Sequence, residues 1–94
     1  MSNERVISEQ KYDRTVRGMR SWLYSLVRKR TGRTVTADDA HTYLDRSGFR
    51  KNEVYTRLSV INSVLRDGNF DVVGRTPSTR PAARRRLINA WTVR

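Results

Sequence analysis

The spacing of the hydrophobic residues changes at Gly68, and this change fixes the order of elements that the chain can form. Before this point, apolar residues recur every three or four positions, which is the period of an amphipathic helix. After it, apolar and polar residues alternate over 70–74 and again from Leu87 to the C-terminus, as in strands. The sequence therefore predicts helices followed by a C-terminal β-hairpin.

The first helix is predicted at about 12–31, ending before Gly32. Residues 1–11 are predicted to form a flexible N-terminal arm, because they are mostly polar. The remaining 12–94 is short enough to form a single domain. The core-facing stripe of the first helix consists of Tyr12, Val16, Met19, Leu23, Leu26 and Val27.

Two shorter helices are predicted to follow. The second is expected at about 37–46, because Thr36 with a carboxylate three residues later is the pattern of a capping box, and Ser47-Gly48 is expected to end it. The third is expected at about 53–66, with Asn52 as its N-cap and Asp67-Gly68 as its end. Its buried stripe is predicted to be Val54, Leu58, Ile61 and Leu65, widened by Val64.

The predicted order of elements matches a winged helix. This is an α+β, mainly α fold with three helices, a short strand and a C-terminal β-hairpin wing. A helix-turn-helix followed by an antiparallel hairpin has this arrangement. The short extended segment at 33–35 is expected to pair with the hairpin edge as the third strand.

The charge of the chain favours a polyanionic partner. The sequence holds 20 basic and 9 acidic residues, a net charge of +11, and only three of the basic residues are lysine. Arginine binds phosphate bidentately and stacks on bases, so this excess suits nucleic acid. An anionic membrane surface is the competing partner, but the chain lacks the apolar amphipathic face that membrane binding needs.

Several function classes are disfavoured by residue types that the chain lacks. Without cysteine there is no disulfide framework or zinc-thiolate site, and His41 stands alone, so we expect no metal site. Asp38 and Asp39 at a helix start are explained by capping rather than by metal-dependent catalysis. We therefore expect no enzyme, no catalytic residue, no cofactor and no small-molecule substrate. With no signal peptide or membrane span in the sequence, a cytoplasmic location is expected.

The third helix is predicted to be the recognition helix. In a helix-turn-helix, the second helix lies in the major groove and its outward residues read base edges. The outward face here has short hydrogen-bonding side chains and few acids, and asparagine can pair bidentately with adenine. The predicted recognition residues are Arg50, Lys51, Asn52, Tyr55, Thr56, Arg57, Ser59, Asn62, Ser63 and Arg66.

The basic loop between the two predicted strands is expected to act as the wing. Its arginines can reach phosphates or enter a minor groove, and its prolines lower the entropy cost of ordering it. The predicted wing residues are Arg75, Ser78, Arg80, Arg84, Arg85 and Arg86.

The first helix is longer than a small three-helix core needs, and Trp22 and Tyr24 flank its apolar stripe. We therefore predict a homodimer with these two residues in its interface, which would lengthen the DNA site. The alternative is that Trp22 packs within its own domain and the chain is monomeric.

The C-terminal two-thirds of the chain resembles a known class of proteins. The residues that carry the resemblance are Val72-Val73-Gly74-Arg75, Ser78, Arg80-Pro81, Arg85, Ile88 and Trp91, behind Thr36-Ala37-Asp38-Asp39. They resemble small winged helix-turn-helix proteins of bacteriophages and mobile elements. The resemblance implies sequence-specific binding to double-stranded DNA in the bacterial cytoplasm or nucleoid. The role would be that of a transcription regulator or of an architectural factor, such as an excisionase or replication accessory.

Two other functions remain open at this point. One is an inhibitor that docks on a host or viral protein through Trp22, Tyr24 and the face of the first helix. The other is an RNA-binding protein, because the same positive charge would suit RNA.

Overall fold

The computed structural model describes residues 2–50, 56–81 and 84–94, and side chains from Lys11 onward within these ranges. Three helices precede an antiparallel hairpin, so the fold is α+β and mainly helical. The change of hydrophobic period at Gly68 therefore predicts the order of elements correctly. The elements are α1 Ser2–Lys29, α2 Ala37–Ser47, α3 Arg57–Leu65, β1 Phe70–Pro77 and β2 Leu87–Val93.

Helix α1 begins ten residues earlier than the sequence analysis predicts. The backbone is helical from Ser2, where a flexible arm over 1–11 was expected, and the helix ends at Lys29 instead of 31. No glycine or proline occurs before Gly18. Extending a helix that is already packed costs much less free energy than nucleating a new one, so α1 continues back to Ser2.

Helix α2 has the start and the end that the sequence predicts. The Thr36 backbone N–H donates to the Asp39 carboxylate at 2.8 Å, and the Thr36 side chain accepts backbone N–H groups of the first turn, which completes the capping box. Gly48 ends the helix in the left-handed region, with φ of 71°, and its N–H donates to the carbonyl of Leu44. These contacts satisfy backbone groups at both helix ends.

Helix α3 differs from its prediction in its start and in its buried face. It begins at Arg57, and its N-cap is Thr56, whose hydroxyl accepts the Ser59 N–H at 3.2 Å. Leu58 was predicted to be buried but is 66% exposed. Asn52 and Val54 lie outside the described residues. The buried residues of α3 are Val60, Ile61, Val64 and Leu65.

The buried face of α3 is wider than a simple one-sided stripe, because the helix packs against α1 and α2 at once. Two adjacent pairs of apolar residues provide that width, 60–61 and 64–65. A repeat of i, i+4 and i+7 predicts a narrower face, and it selects Leu58 in place of Val60.

The hairpin is longer than predicted on its first strand. β1 continues from Phe70 to Pro77 and pairs with β2 in antiparallel register, with an irregularity between Val72 and Gly74. The segment 33–35 pairs with β2 at one position only. There the N–H of Val35 donates to the Trp91 carbonyl, and the N–H of Trp91 donates to the Val35 carbonyl, both at 2.8 Å.

One apolar core joins the helices to the hairpin. Its largest fully buried side chains are Met19, Leu23, Val35, Leu44, Val60 and Val64. Trp91 is 8% exposed and extends this core from the sheet side. Within the described part of the chain, no helix combines the length and hydrophobicity that crossing a membrane requires.

The contact between α1 and α2 is close at Gly18. A Cβ atom at this position would lie 2.1 Å from the Tyr43 hydroxyl, so a glycine is needed for the ring to pack there. The same ring lies against Trp22, with ring centroids 5.7 Å apart. Gly18 thus sets how closely α2 approaches α1.

Candidate functional site

Helix α2 carries three polar side chains on one face, Asp38, His41 and Asp45. Their spacing of three and four residues places them in a row along the helix. We call this row the polar stripe of α2. It contacts two segments that the sequence analysis assigns to nucleic-acid binding, namely the start of α3 and the loop between β1 and β2.

Asp38 binds this loop, called here the hairpin loop (residues 78–81 and 84–86). The Ser78 hydroxyl donates to the two carboxylate oxygens of Asp38 at 2.8 and 3.0 Å, and the Thr79 backbone N–H donates at 2.7 Å. Ser78 is only 4% exposed. Hydrogen bonds to a charged acceptor are stronger than neutral ones, so the base of the loop is fixed to the first turn of α2.

Two sequence-based assignments are corrected by this contact. Ser78 was predicted to face DNA, but it is buried and its hydroxyl serves the loop, where it also accepts the Arg80 N–H at 3.2 Å. Asp38 was explained by capping alone, but its carboxylate holds a segment forty residues further along the chain. The sequence does not reveal these partners of Asp38, because they lie about forty residues away and form no local sequence pattern.

The rest of the polar stripe holds the first residue of α3. An Arg57 guanidinium nitrogen lies 2.5 Å from the Asp45 carboxylate, and the other terminal nitrogen lies 3.3 Å from His41 Nδ1. Arg57 was predicted to contact a base or phosphate. It turns toward α2, because the carboxylate and the imidazole at this helix junction provide acceptors for its fork of donors.

The same arrangement shifts two pKa values. The hydrogen bond from Arg57 lowers the pKa of the Asp45 carboxyl below its usual value. The pKa of His41 is also lowered, mainly because burial disfavours the charged ring, and further because the cations of Arg80 and Arg57 lie nearby. A neutral His41 can accept the Arg57 N–H at Nδ1.

Of two other predicted recognition residues, Ser63 contacts α1 through its side chain and Ser59 through its backbone carbonyl. The Tyr12 hydroxyl forms a hydrogen bond with the Ser63 hydroxyl, and Ser63 donates to the carbonyl of Ser59 at 2.8 Å. The Ser59 hydroxyl donates to the Thr56 carbonyl at 2.7 Å. Small hydroxyl side chains allow α1 and α3 to pack closely, so these serines support the helix packing.

The remaining predicted recognition residues are placed as follows. Arg50 is exposed in the segment after α2, and Thr56, Asn62 and Arg66 are exposed on α3. Lys51, Asn52 and Tyr55 lie outside the described residues. The exposed row of α3 thus runs from Leu58 through Asn62 to the C-cap, Arg66.

A groove of about 260 Å³ runs between this row and the hairpin. The first turn of α2 contributes Ala37 to its wall, next to the aspartate that holds the hairpin loop. Leu58 and Leu87 expose 66% and 56% of their surfaces, so the groove combines apolar and polar contacts. Its polar residues are Asn62, Arg66, Arg75 and Asn89.

The hairpin loop forms a second depression, of about 450 Å³, lined by Arg80, Arg84 and Arg85. Arg84 and Arg85 adopt φ angles of 48° and 62°, and both side chains are exposed, as is Arg86. Together with the groove, this depression flanks the first turn of α2. We call the combined set the α3–hairpin surface: Thr56, Asn62, Arg66, Arg75, Arg80, Arg84 and Arg85.

The charge of the α3–hairpin surface is not balanced by nearby acids. Among the described residues, no carboxylate oxygen lies within 4.0 Å of the side-chain nitrogens of Arg66, Arg75 or Arg84. Asp38 and Asp45 accept hydrogen bonds from the hairpin loop and from Arg57. Asp67 binds Arg20 at 2.6 Å, and burial, which would raise its pKa, is outweighed by hydrogen bonds from Asn69 and Arg20 that lower it.

The two aromatic residues predicted for a dimer interface pack within the chain. Trp22 lies against Tyr43, and Tyr24 lies against Phe70 with ring centroids 5.2 Å apart. Both are half-buried at the edge of the core. Part of the aromatic surface that motivated the interface is thus covered within the chain, and the homodimer itself stays a prediction.

Among the residues that the structure describes, no three side chains of His, Cys, Asp or Glu come close enough to hold a metal ion. Comparison of the chain with protein-family models, curated proteins and solved structures finds no match.

Proposed function

We propose that this chain is a winged-helix protein that binds double-stranded DNA through the α3–hairpin surface. In this proposal, α3 enters the major groove and the hairpin loop is the wing that contacts the backbone. The element order and the pairing of Val35 with β2 support the fold assignment. The role that fits is a regulator or architectural factor of the bacteriophage or mobile-element type.

The observation that carries the proposal is the joint attachment of the hairpin loop and α3 to the polar stripe of α2. Asp38 binds the loop, while His41 and Asp45 bind Arg57 at the start of α3. The two segments assigned to DNA are therefore held side by side before any DNA arrives. Preorganised groups lose less conformational entropy on binding, which favours affinity.

The exposed residues of this surface divide into two roles. Asn62 lies in the middle of the exposed row of α3, where an amide can pair bidentately with adenine. Arg80, Arg84 and Arg85 lie on the hairpin loop, where guanidinium groups suit phosphates. Leu58, beside the amide, suits a thymine methyl group.

A salt titration tests the electrostatic part of the proposal. With about five to eight phosphate contacts, log K for duplex DNA should fall with log salt at a slope of roughly −4 to −7. Arg84→Ala should reduce the steepness of this slope by about 1, because it removes one phosphate contact. The matched control is Arg46→Ala, an exposed arginine of α2 outside the α3–hairpin surface. A slope near zero, or equal changes in both variants, would contradict the proposal.

Selection of bound duplexes from a random pool tests the sequence-reading part. Asn62→Ala should cost on the order of 1–3 kcal/mol of discrimination at one base pair and leave non-specific affinity nearly unchanged. Asn69→Ala is the control, an exposed asparagine before β1. If only changes in the hairpin loop alter the selected sequence, the two roles have been assigned to the wrong segments.

A partner protein is the second candidate for the same surface. It is favoured by the exposure of Leu58 and Leu87 on opposite walls of the groove. Docking through Trp22 and Tyr24 stays a prediction, because each ring has one aromatic neighbour within the chain and remains half-buried. Binding that persists at high salt would favour a protein partner, and preference for duplex RNA in the same titration would favour the RNA alternative.

A further inference from the structure

Helix α1 exposes a row of arginines that the proposed DNA surface does not use. Arg14, Arg17 and Arg28 are all exposed. At 100° per residue they fall within about 60° of one another, on the side of α1 opposite the buried Met19 and Leu23. The row is about 21 Å long at 1.5 Å per residue. We call these three residues the outer stripe of α1.

The outer stripe differs from other arginines in the same part of the chain. Arg20 binds Asp67 at 2.6 Å and Arg30 binds Asp39 at 2.7 Å, so these two link α1 and the segment after it to neighbouring elements. For the outer stripe, no carboxylate oxygen of any described residue lies within 4.0 Å. The charges of the stripe thus form no ion pair within the described part of the chain.

Acids are scarce along the outer stripe. Asp13 lies at its N-terminal end, four residues before Arg17, and no Asp or Glu occurs from Arg14 to Ala37. Arg14 and Arg17 are three residues apart, and like charges at this spacing destabilise a helix. A solvated helix face commonly pairs Glu with Lys or Arg, which would remove this repulsion. The repulsion is instead relieved when an anion binds along the row.

The direction of the outer stripe separates it from the α3–hairpin surface. Helices α2 and α3 and strand β2 all pack against α1, on the side of Met19 and Leu23. The stripe points away from them. A straight duplex bound at α3 therefore does not reach the stripe, because the body of α1 lies between them.

We propose that the outer stripe of α1 is a second binding surface for duplex DNA, so that one chain bridges two duplexes. Its three guanidinium groups bind backbone phosphates, without reading sequence. The proposal rests on the proposed function, because the first duplex occupies the α3–hairpin surface. It assigns a role to the basic part of α1 that the winged-helix resemblance leaves without one.

The experiment counts chains and duplexes in the complex. The full chain is mixed with an excess of short duplexes of unrelated sequence, and the complexes are examined by native mass spectrometry and sedimentation velocity. The expected species is one chain with two duplexes. The triple variant Arg14→Ser, Arg17→Ser, Arg28→Ser should keep the complex with one duplex and weaken the second binding step by at least about tenfold.

A charge-matched control separates the outer stripe from general attraction. The variant Arg33→Ser, Arg46→Ser, Arg94→Ser removes the same charge from exposed positions outside α1. It should keep the complex with two duplexes. Circular dichroism of both triple variants shows whether α1 is retained, and variants with the wild-type helix signal enter the comparison. A double variant, Arg14→Ser with Arg28→Ser, serves if the triple variant does not fold.

The outcomes distinguish the two proposals. A wild-type complex that stops at one duplex overturns the bridging inference and leaves the proposed function standing. Bridging only by two chains with two duplexes also overturns it, as does equal loss in both triple variants. Absence of any duplex binding refutes the proposed function and the inference together. Vesicles of phosphatidylglycerol and phosphatidylcholine test a membrane as the partner. If the outer-stripe triple variant loses binding to these vesicles but keeps the second duplex, the stripe binds a membrane and the bridging inference is overturned.

Discussion

The two sides of helix α2 hold the molecule together by different means. On one side, Ala40 and Leu44 are fully buried, and Tyr43 packs against Gly18. On the other side, the polar stripe of α2 binds the hairpin loop and the start of α3 through hydrogen bonds and an ion pair. The first side joins α2 to the core, and the second positions the arginines that we assign to DNA.

These two kinds of contact differ in how much they stabilise the fold. Burying a leucine side chain contributes about 1.5–3 kcal/mol, whereas an exposed ion pair contributes about 0–1 kcal/mol. The Asp45 side chain is 64% exposed in its pair with Arg57. Changes on the apolar side should therefore affect stability, and changes on the polar side should mainly affect the geometry of the proposed DNA surface.

The largest effect is expected from Gly18→Ala. Alanine favours a helix interior over glycine by about 1 kcal/mol, so an unconstrained site would be stabilised. Here the new Cβ would lie 2.1 Å from the Tyr43 hydroxyl, and the ring must move away from its place beside Trp22. We expect a net loss of about 1–3 kcal/mol, measured by urea unfolding.

The background variant Tyr43→Phe shows whether this contact is the cause. Without the hydroxyl, the nearest atom to the new Cβ is a ring carbon at 3.2 Å, so Gly18→Ala should cost less than in the wild type. Stabilisation by Gly18→Ala in the wild-type background would show that the approach of α2 to α1 is not limited at this position.

A smaller effect on stability, with a larger local effect, is expected from Asp38→Ala. The Thr79 N–H and the Ser78 hydroxyl lose their charged acceptor, so the base of the hairpin loop is released. We expect a loss of about 1–2 kcal/mol. Amide hydrogen exchange at Thr79 should become at least about tenfold faster.

The control for this variant is Asp71→Ala, which removes the same charge from the exposed pair with Arg94. It should leave exchange at Thr79 unchanged. Equal exchange rates at Thr79 in Asp38→Ala and in the wild type would show that Asp38 does not hold the loop.

The smallest effect is expected from pH, through His41. Its pKa is lowered from 6.5 in the folded chain, so the unfolded chain binds the proton more readily. Stability is therefore full above 6.5 and decreases as the pH falls from there through the lower pKa of the folded state. His41→Gln should flatten this part of the curve of Tm against pH, measured down to about pH 5.

Asp45 contributes in a separate range. Its pKa is lowered from 3.8, so its contribution is present above that value and is lost as the pH falls through the pKa of the folded state. Asp45→Asn should therefore change the curve only at the acid end. If His41→Gln leaves the curve unchanged above pH 5, the pKa of His41 is not lowered in the folded chain.

The features that the sequence predicts correctly depend on neighbouring residues. The capping box of Thr36 and Asp39 is formed within one turn, and Gly48 ends α2 because glycine readily adopts the left-handed conformation. The alternation of apolar and polar residues after Gly68 likewise predicts each strand from its own residues alone. Such local rules need no knowledge of the rest of the fold.

The errors occur where packing chooses among several faces of one element. Ser59 and Ser63 are residue types typical of a DNA-binding face. The long helix α1 packs on this side of α3, where the Tyr12 hydroxyl bonds to the Ser63 hydroxyl and to the Ser59 carbonyl. Arg57 forms an ion pair with Asp45 of the preceding helix, α2. The contact of Asp38 with Ser78 joins residues forty positions apart, with α3 and β1 between them. None of these partners is visible from spacing along one helix.

The pairing of Val35 with Trp91 also determines when the fold can be completed during synthesis. It joins the segment between α1 and α2 to the last strand, so most of the chain must be made before the bridge can close. A nascent chain that ends at the hairpin loop has all three helices but lacks Trp91, which covers the core from the sheet side. Until β2 is made, the part of the helical core that Trp91 covers stays exposed and can bind chaperones.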